Sequence, residues 1–149
     1  MIDVRLNVLN EYVHKFIITE STYSHSGERK KLNFDINNFS KFKDKIIYLV
    51  IDEEPKEIID YKAKNIIPEH VPSIKRANSL KRINLSYEYM QKGISQADKE
   101  DLIILSDNDE VPNSSSKEFQ NNKNDIIIFK QLFFYYKFNL LYDLVPWFG

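Results

Sequence analysis

The stretch KIIYLVIDEEP, residues 45–55, joins an unbroken apolar run to three acids and Pro55. A continuous run of this length, rich in β-branched side chains, is typical of a strand covered on both faces of a parallel sheet. The acids and the proline mark the end of that strand. The segment KFIITES, residues 15–21, repeats the pattern, because a short apolar run is followed by Glu20 and Ser21. Two strands that end in polar groups are therefore predicted.

Amphipathic helices are predicted on either side of these strands. The chain opens with apolar residues at helical spacing, and a longer segment, residues 74–94, has apolar residues three, four or seven apart and Gly93 as a stop signal. Further apolar runs at residues 102–105 and 126–129 predict two more strands. Strands of this kind that alternate with helices indicate an α/β protein with a mostly parallel sheet. We expect one domain over residues 1–149, without a linker.

Composition limits the classes of function. The 149 residues are 42% hydrophobic, which is enough for a globular core, and the net charge is −1. A nearly neutral chain has no overall field that would draw it to nucleic acid or to an anionic membrane. No cysteine is present, so disulfides, thiolate metal sites and cysteine nucleophiles are excluded. No segment predicts a signal peptide or a membrane span. The cellular location stays open.

The segment DLIILSDNDEVP, residues 101–112, runs from an apolar stretch into Asp107, Asp109 and Glu110. In an open α/β sheet, ligands bind beyond the carboxyl ends of the strands, so these acids are placed to line a binding cleft. Two aspartates that are two residues apart can face the same way or converge in a turn. Paired carboxylates suit Mg²⁺ or Mn²⁺, which also bind diphosphate oxygens.

A calcium loop and a simple capping role are the alternatives for the same acids. A calcium loop of the EF-hand type is excluded, because Val111 and Pro112 stand where an oxygen ligand and a glycine are needed. Acids after a strand also cap helices or solvate turns without any further function, and the spacing alone does not decide between this capping role and a metal site.

The order of the segments resembles glycosyltransferase family seventeen, a family of β-1,4-mannosyl-glycoprotein N-acetylglucosaminyltransferases. The most specific element is the block Ser-Asp-x-Asp-Glu-x-Pro at residues 106–112. The weaker elements are residues 3–21, 25–34, 42–52, 133–141 and the terminal PWFG at 146–149.

The resemblance implies a GT-A-like fold and transfer of a sugar, expected to be N-acetylglucosamine, from a UDP-sugar to a glycan or glycoprotein acceptor. It also implies Mn²⁺ or Mg²⁺ at the Asp-x-Asp motif. Asp109 is the better candidate for direct contact with the metal, and Asp107 for contact with the metal or the ribose. Glu110 is a further candidate for binding the nucleotide-sugar. The resemblance does not identify a catalytic base.

Four residues outside this block are candidates for binding the nucleotide-sugar. Glu20 and Ser21 end the first predicted strand, and Arg82 and Asn84 resemble a polar patch that family members carry on the helix before the motif. A guanidinium at position 82 could pair with phosphate. The alternatives are a polar strand end and a solvated helix face.

Other features are expected to be structural. The aromatic residues 133–136 are predicted to pack in the core, and Trp147 is predicted to do the same, with sugar stacking as the alternative. Family members have an earlier strand and a longer C-terminal part, so the chain looks truncated at both ends and is expected to be at best a weak transferase. A catalytically inactive remnant, a binding protein and a metal-dependent nucleotidyltransferase or phosphohydrolase are the alternatives.

Overall fold

The computed structural model describes residues 1–135, 137 and 139–148. Tyr136 of the predicted aromatic residues 133–136, Phe138 of the segment 133–141, and Gly149 of the terminal PWFG lie outside the described residues. The chain forms two compact units, a central unit (Lys15–Lys99) and a terminal unit (Met1–His14 with Glu100–Gly149). A single domain over the whole chain stays a prediction.

The central unit is built on two parallel strands. Strand β1 (Phe16–Ser21) pairs with β2 (Ile46–Ile51), in a register that runs from Phe16 opposite Ile46 to Ser21 opposite Ile51. Phe16, Ile46 and Ile51 are buried. Both strand predictions are confirmed. The two apolar runs have enough β-branched and aromatic side chains to form a covered pair of strands. A 3₁₀ helix, Ile36–Lys45, leads into β2.

A long helix covers this strand pair. After a short 3₁₀ turn (Pro68–His70), α2 (Val71–Ile94) packs against β1 and β2. The predicted end of this helix at Ile94 is confirmed, and Gly93 lies in its last turn. A Cβ atom on Gly93 would lie 2.7 Å from Cγ2 of Ile17, so the glycine also allows close packing of the helix on β1.

The terminal unit contains the remaining elements. Helix α1 (Ile2–Leu9) forms as predicted, with Leu6 and Leu9 buried. A short helix, α3 (Lys117–Gln120), precedes β3 (Lys130–Phe134) and β4 (Leu141–Phe148). These two strands pair in antiparallel fashion, with a register shift between Gln131 and Phe133. Within the described residues, no helix has the length and the apolar character to cross a membrane.

The prediction of a mostly parallel sheet is not confirmed. Among the described residues there are two two-stranded sheets, one parallel and one antiparallel, and residues 102–105 and 126–129 are not strands. The apolar side chains in these two runs are largely exposed, with Leu105 at 58% and Ile126 at 80%. A strand needs a neighbour for its backbone N–H and C=O groups, and an apolar run does not supply one. The fold therefore has mixed helices and strands with small sheets.

Candidate functional site

The three acids that follow β2 all have partners within the central unit. Asp52 accepts hydrogen bonds from the side chains of Arg29 and Thr22. Glu53 accepts one from the Tyr89 hydroxyl, and Glu54 accepts hydrogen bonds from Arg82. These contacts tie the end of β2 to the preceding loop and to α2. The acids at this strand end are thus used in holding the fold together.

Glu20 at the end of β1 is also held by donors from the chain itself. Its carboxylate accepts hydrogen bonds from Lys30 Nζ at 2.7 Å, from the backbone N–H of Asn33 and Phe34 at 2.7 and 3.0 Å, and from the Tyr48 hydroxyl at 3.0 Å. The side chain is only 13% exposed. Four donors fill the acceptor positions of one carboxylate. Its role as a nucleotide-sugar ligand stays a prediction, and the observed contacts anchor the loop.

The pKa of Glu20 reflects these contacts. Burial by itself would raise the pKa of the carboxyl group. The hydrogen bonds from Lys30, Asn33, Phe34 and Tyr48 together outweigh this effect and lower the pKa from 4.5 to about 2. The Tyr48 phenol responds in the opposite direction. Burial and its hydrogen bond to the Glu20 carboxylate raise the pKa of Tyr48 to about 12. The pair is therefore most stable with a charged Glu20 and a neutral Tyr48.

Arg82 is held in a fork by Glu54. Its Nε and Nη2 atoms donate to the two carboxylate oxygens at 2.8 and 2.9 Å, and Nη1 donates to the carbonyl of His25 at 3.1 Å. The side chain of Arg82 is 10% exposed. Gly27, with φ of +92°, lies against the guanidinium, and a Cβ atom there would be 2.4 Å from Nη2. The guanidinium predicted to meet a phosphate therefore already binds a carboxylate.

The other two candidates in the central unit are Asn84 and Ser21. Asn84 is exposed. Residues two apart on a helix face different directions, so Asn84 and Arg82 do not share a face. Ser21 accepts a hydrogen bond from the backbone N–H of Tyr23 at 3.0 Å through its Oγ. The structure thus brings no polar patch together from Arg82 and Asn84, and the binding roles of these residues stay predictions.

In the terminal unit, residues 107–110 form a closed turn, here named the acidic turn. The backbone N–H of Glu110 donates to the carbonyl of Asp107 at 3.2 Å, and the backbone N–H of Asp107 donates to Oε2 of Glu110 at 3.0 Å. The other oxygen of Glu110 accepts from Trp147 Nε1 at 2.6 Å. Glu110 therefore shapes the turn with both of its oxygens.

The carboxylates of Asp107 and Asp109, which follow no strand in the structure, differ from the acids at the ends of β1 and β2. In the part of the chain that the structure describes, neither makes a hydrogen bond or a salt bridge through its side chain, and both are exposed. Both line an open cavity of about 520 Å³, together with Gln131, Lys137 and Trp147. Two exposed carboxylates beside a cavity of this size can receive a charged ligand.

These two carboxylates fit a hard divalent cation that a ligand helps to hold. Among the described residues, no group of three or more His, Asp or Glu side chains is arranged to hold a metal ion by itself. Mg²⁺ and Mn²⁺ do not require such a group, since they are commonly bound by one or two carboxylates, several waters and the phosphates of a substrate. Asp107 and Asp109 would supply the protein ligands.

Arg5 supports the acidic turn, a role that the sequence did not predict. Its Nη1 donates to the backbone carbonyls of Asp107, at 2.9 Å, and of Glu110, and its Nη2 donates to Ser106 Oγ at 2.5 Å. Burial lowers the pKa of the guanidinium, while the charges of Glu110, Asp107 and Asp109 act in the opposite direction. A single arginine on an amphipathic helix, far from the turn in sequence, carries no local signal for this role.

Replacement of Arg5 by Met is expected to weaken Mn²⁺ binding about tenfold, because charged hydrogen bonds that hold the turn are worth about 1.5–3 kcal/mol each. Arg5→Lys should weaken it as well, since one ammonium cannot reproduce a planar fork to several acceptors. Calorimetry or electron paramagnetic resonance of bound Mn²⁺ measures the affinity, and circular dichroism checks the fold. If Arg5 acted only as a nearby charge, Lys would leave the affinity unchanged and Met would tighten binding.

Comparison with known protein families found that the sequence model of Glycosyltransferase family 17 matches residues 1–149. The class is therefore that of a transferase, which moves a sugar from a donor to an acceptor. In particular, the chain belongs to glycosyltransferase family 17, as the resemblance predicted. A search of curated proteins found no match, and neither did a search of solved structures.

Proposed function

We propose that the protein is a metal-dependent glycosyltransferase that transfers N-acetylglucosamine from its UDP donor to a glycan or glycoprotein acceptor, with Mn²⁺ or Mg²⁺ at Asp107 and Asp109. One observation carries the choice of site. The acids after β2 accept hydrogen bonds from donors of the chain itself, whereas the side chains of Asp107 and Asp109 make no hydrogen bond or salt bridge among the described residues, and both line a cavity.

The residues around the cavity suit a diphosphate. Asp107 and Asp109 would repel its oxygens without a cation between them, so the cation makes the two partners compatible. When bound, the cation would also neutralise charge that develops on the departing UDP. Lys137 lines the same cavity, where its ammonium would offset part of the phosphate charge. Arg5 and Glu110 hold the turn that presents the two aspartates.

The test is a transfer assay with purified protein, UDP-N-acetylglucosamine, Mn²⁺ and a mannose-terminated acceptor, with product detected by mass spectrometry. We expect acceptor glycosylation that stops with EDTA and returns with Mn²⁺. A parallel assay of UDP release without acceptor measures donor hydrolysis, which does not need the acceptor site. Transfer that is indifferent to chelation would contradict the metal site. Metal-dependent UDP binding without transfer or hydrolysis would favour the binding-protein alternative.

A further inference from the structure

Trp147 belongs to an aromatic cluster on one face of the β3–β4 hairpin. Its ring stacks on Phe133 with centroids 5.5 Å apart and planes inclined by 19°, and Phe133 meets Tyr142 edge to face at 5.9 Å. The register explains this cluster, since Gln131 lies opposite Trp147 and Phe133 opposite Tyr142. One face of the indole is thus supported by a second ring.

The edge of the indole is fixed as well. Its Nε1 donates to Glu110 Oε1 at 2.6 Å, and Glu110 in turn closes the acidic turn through its other oxygen. The ring is therefore oriented by one stacking contact and one hydrogen bond. The residue Trp147 is nonetheless 45% exposed, and among the described residues no ring other than Phe133 stacks on the indole. A tryptophan that served only as core packing would be more completely covered.

The exposed part of the ring adjoins groups suited to a sugar. Asp109, Gln131 and Lys137 line the same cavity and offer hydrogen-bond acceptors and donors. A pyranose has one face of C–H groups with partial positive charge, which match the negative face of an aromatic ring, while its hydroxyls point outward to polar partners. An aromatic wall with a few polar groups is the lining that this ligand needs.

We infer that Trp147 is the stacking platform of a pyranose-binding subsite beside the acidic turn. This inference rests on the proposed function and deepens it, because it assigns the sugar's position relative to the cation site. A uracil base could also stack on an indole. The pyranose is favoured over the base for a geometric reason. Trp147 is hydrogen-bonded to the turn that would face the diphosphate. The donor sugar is bonded directly to that diphosphate, whereas the base is separated from it by the ribose.

The sequence offers a direct probe, because Trp147 is the single tryptophan of the chain. Its fluorescence, and its protection from acrylamide quenching, can be followed in the unmodified protein with Mn²⁺ present. The ligands UDP, UDP-N-acetylglucosamine, N-acetylglucosamine and methyl mannoside are each added in a separate titration. We expect protection by pyranose-bearing ligands and little by UDP. Protection by UDP-N-acetylglucosamine assigns the donor's sugar to the subsite, and protection by methyl mannoside assigns the acceptor's.

Variants supply a second measurement by calorimetry. Trp147→Leu should weaken binding of the protecting sugar about tenfold, and Trp147→Phe, which keeps a ring, should recover most of it. The matched control is Phe148→Leu, which removes an exposed ring from the opposite face of the same strand and should leave the affinity unchanged.

The outcomes separate this inference from the proposed function. The subsite is overturned if no sugar protects Trp147 from quenching. It is also overturned if UDP protects as well as UDP-N-acetylglucosamine does, because the ring would then bind the base. The proposed function fails instead if Mn²⁺ does not promote UDP binding in the same samples. Protection by a free monosaccharide alongside that failure would support the subsite alone.

Discussion

Asp109→Asn is expected to remove Mn²⁺-dependent UDP binding, with a loss of affinity of about a hundredfold or more. Even the loss of a residue that only hydrogen-bonds to a metal ligand lowers metal affinity about tenfold to a hundredfold. Asparagine has the same shape as aspartate but no charge, so its amide oxygen binds a divalent cation more weakly than a carboxylate does. Because the carboxylate makes no hydrogen bond or salt bridge in the described part of the chain, the substitution should leave the fold intact. Calorimetric titration with UDP in Mn²⁺ measures the loss.

The same variant should behave differently when EDTA is present. Without a cation, Asp109 repels the diphosphate, so the neutral asparagine should bind UDP no worse than the parent protein and slightly better at low salt. Asn108→Ala is the matched control, because it changes the neighbouring exposed residue of the same turn without removing charge. Equal UDP affinity of Asp109→Asn and the parent protein in Mn²⁺ would rule out the proposed cation site.

Glu20→Gln is expected to destabilise the protein by about 2–4 kcal/mol. The two backbone N–H groups of Asn33 and Phe34 donate to opposite oxygens of the carboxylate, so the NH₂ group of a glutamine must face one donor. An unmade bond to a buried polar group costs about 1–3 kcal/mol, and the charged bond from Lys30 is weakened as well. Chemical denaturation at neutral pH measures the loss of unfolding free energy.

The low pKa of Glu20 also predicts a dependence on acid. Because the pKa falls from 4.5 when unfolded to about 2 when folded, the charged carboxylate contributes up to about 3 kcal/mol above pH 4.5. This contribution should be lost progressively as the pH falls from about 4.5 towards 2. Glu20→Gln should lack that part of the acid dependence, so the stability of the two proteins should converge at low pH.

Two controls make this result specific. Glu28→Gln changes an exposed carboxylate on the same loop and should alter stability by less than about 0.5 kcal/mol. Tyr48→Phe removes one of the four donors and should cost about 1 kcal/mol while keeping the acid dependence. An acid profile of Glu20→Gln that runs parallel to the parent profile would show that Glu20 is not the group responsible.

Local patterns predicted two strands and two helices of this fold. The apolar runs predicted β1 and β2, and the helical spacing of apolar residues predicted α1 and α2. The runs at residues 102–105 and 126–129 have the same apolar character, yet neither is a strand. The difference is physical, because a strand exists only when another segment completes its hydrogen bonds, and local composition does not determine which segments meet.

The sequence by itself determined the family. It also predicted the pair of aspartates at residues 107 and 109 as a site, because a closely spaced block of acids is a recognisable pattern in one dimension. Only the tertiary structure decided which of the acids that follow an apolar run have partners within the chain. Glu20, near the end of β1, and Glu54, after β2, accept hydrogen bonds from donors remote in sequence. Whether an acid can bind a ligand therefore depends on partners that are distant in sequence. The support of the acidic turn by Arg5 and Trp147 depends on distant residues too, because hydrogen bonds form between neighbours in space.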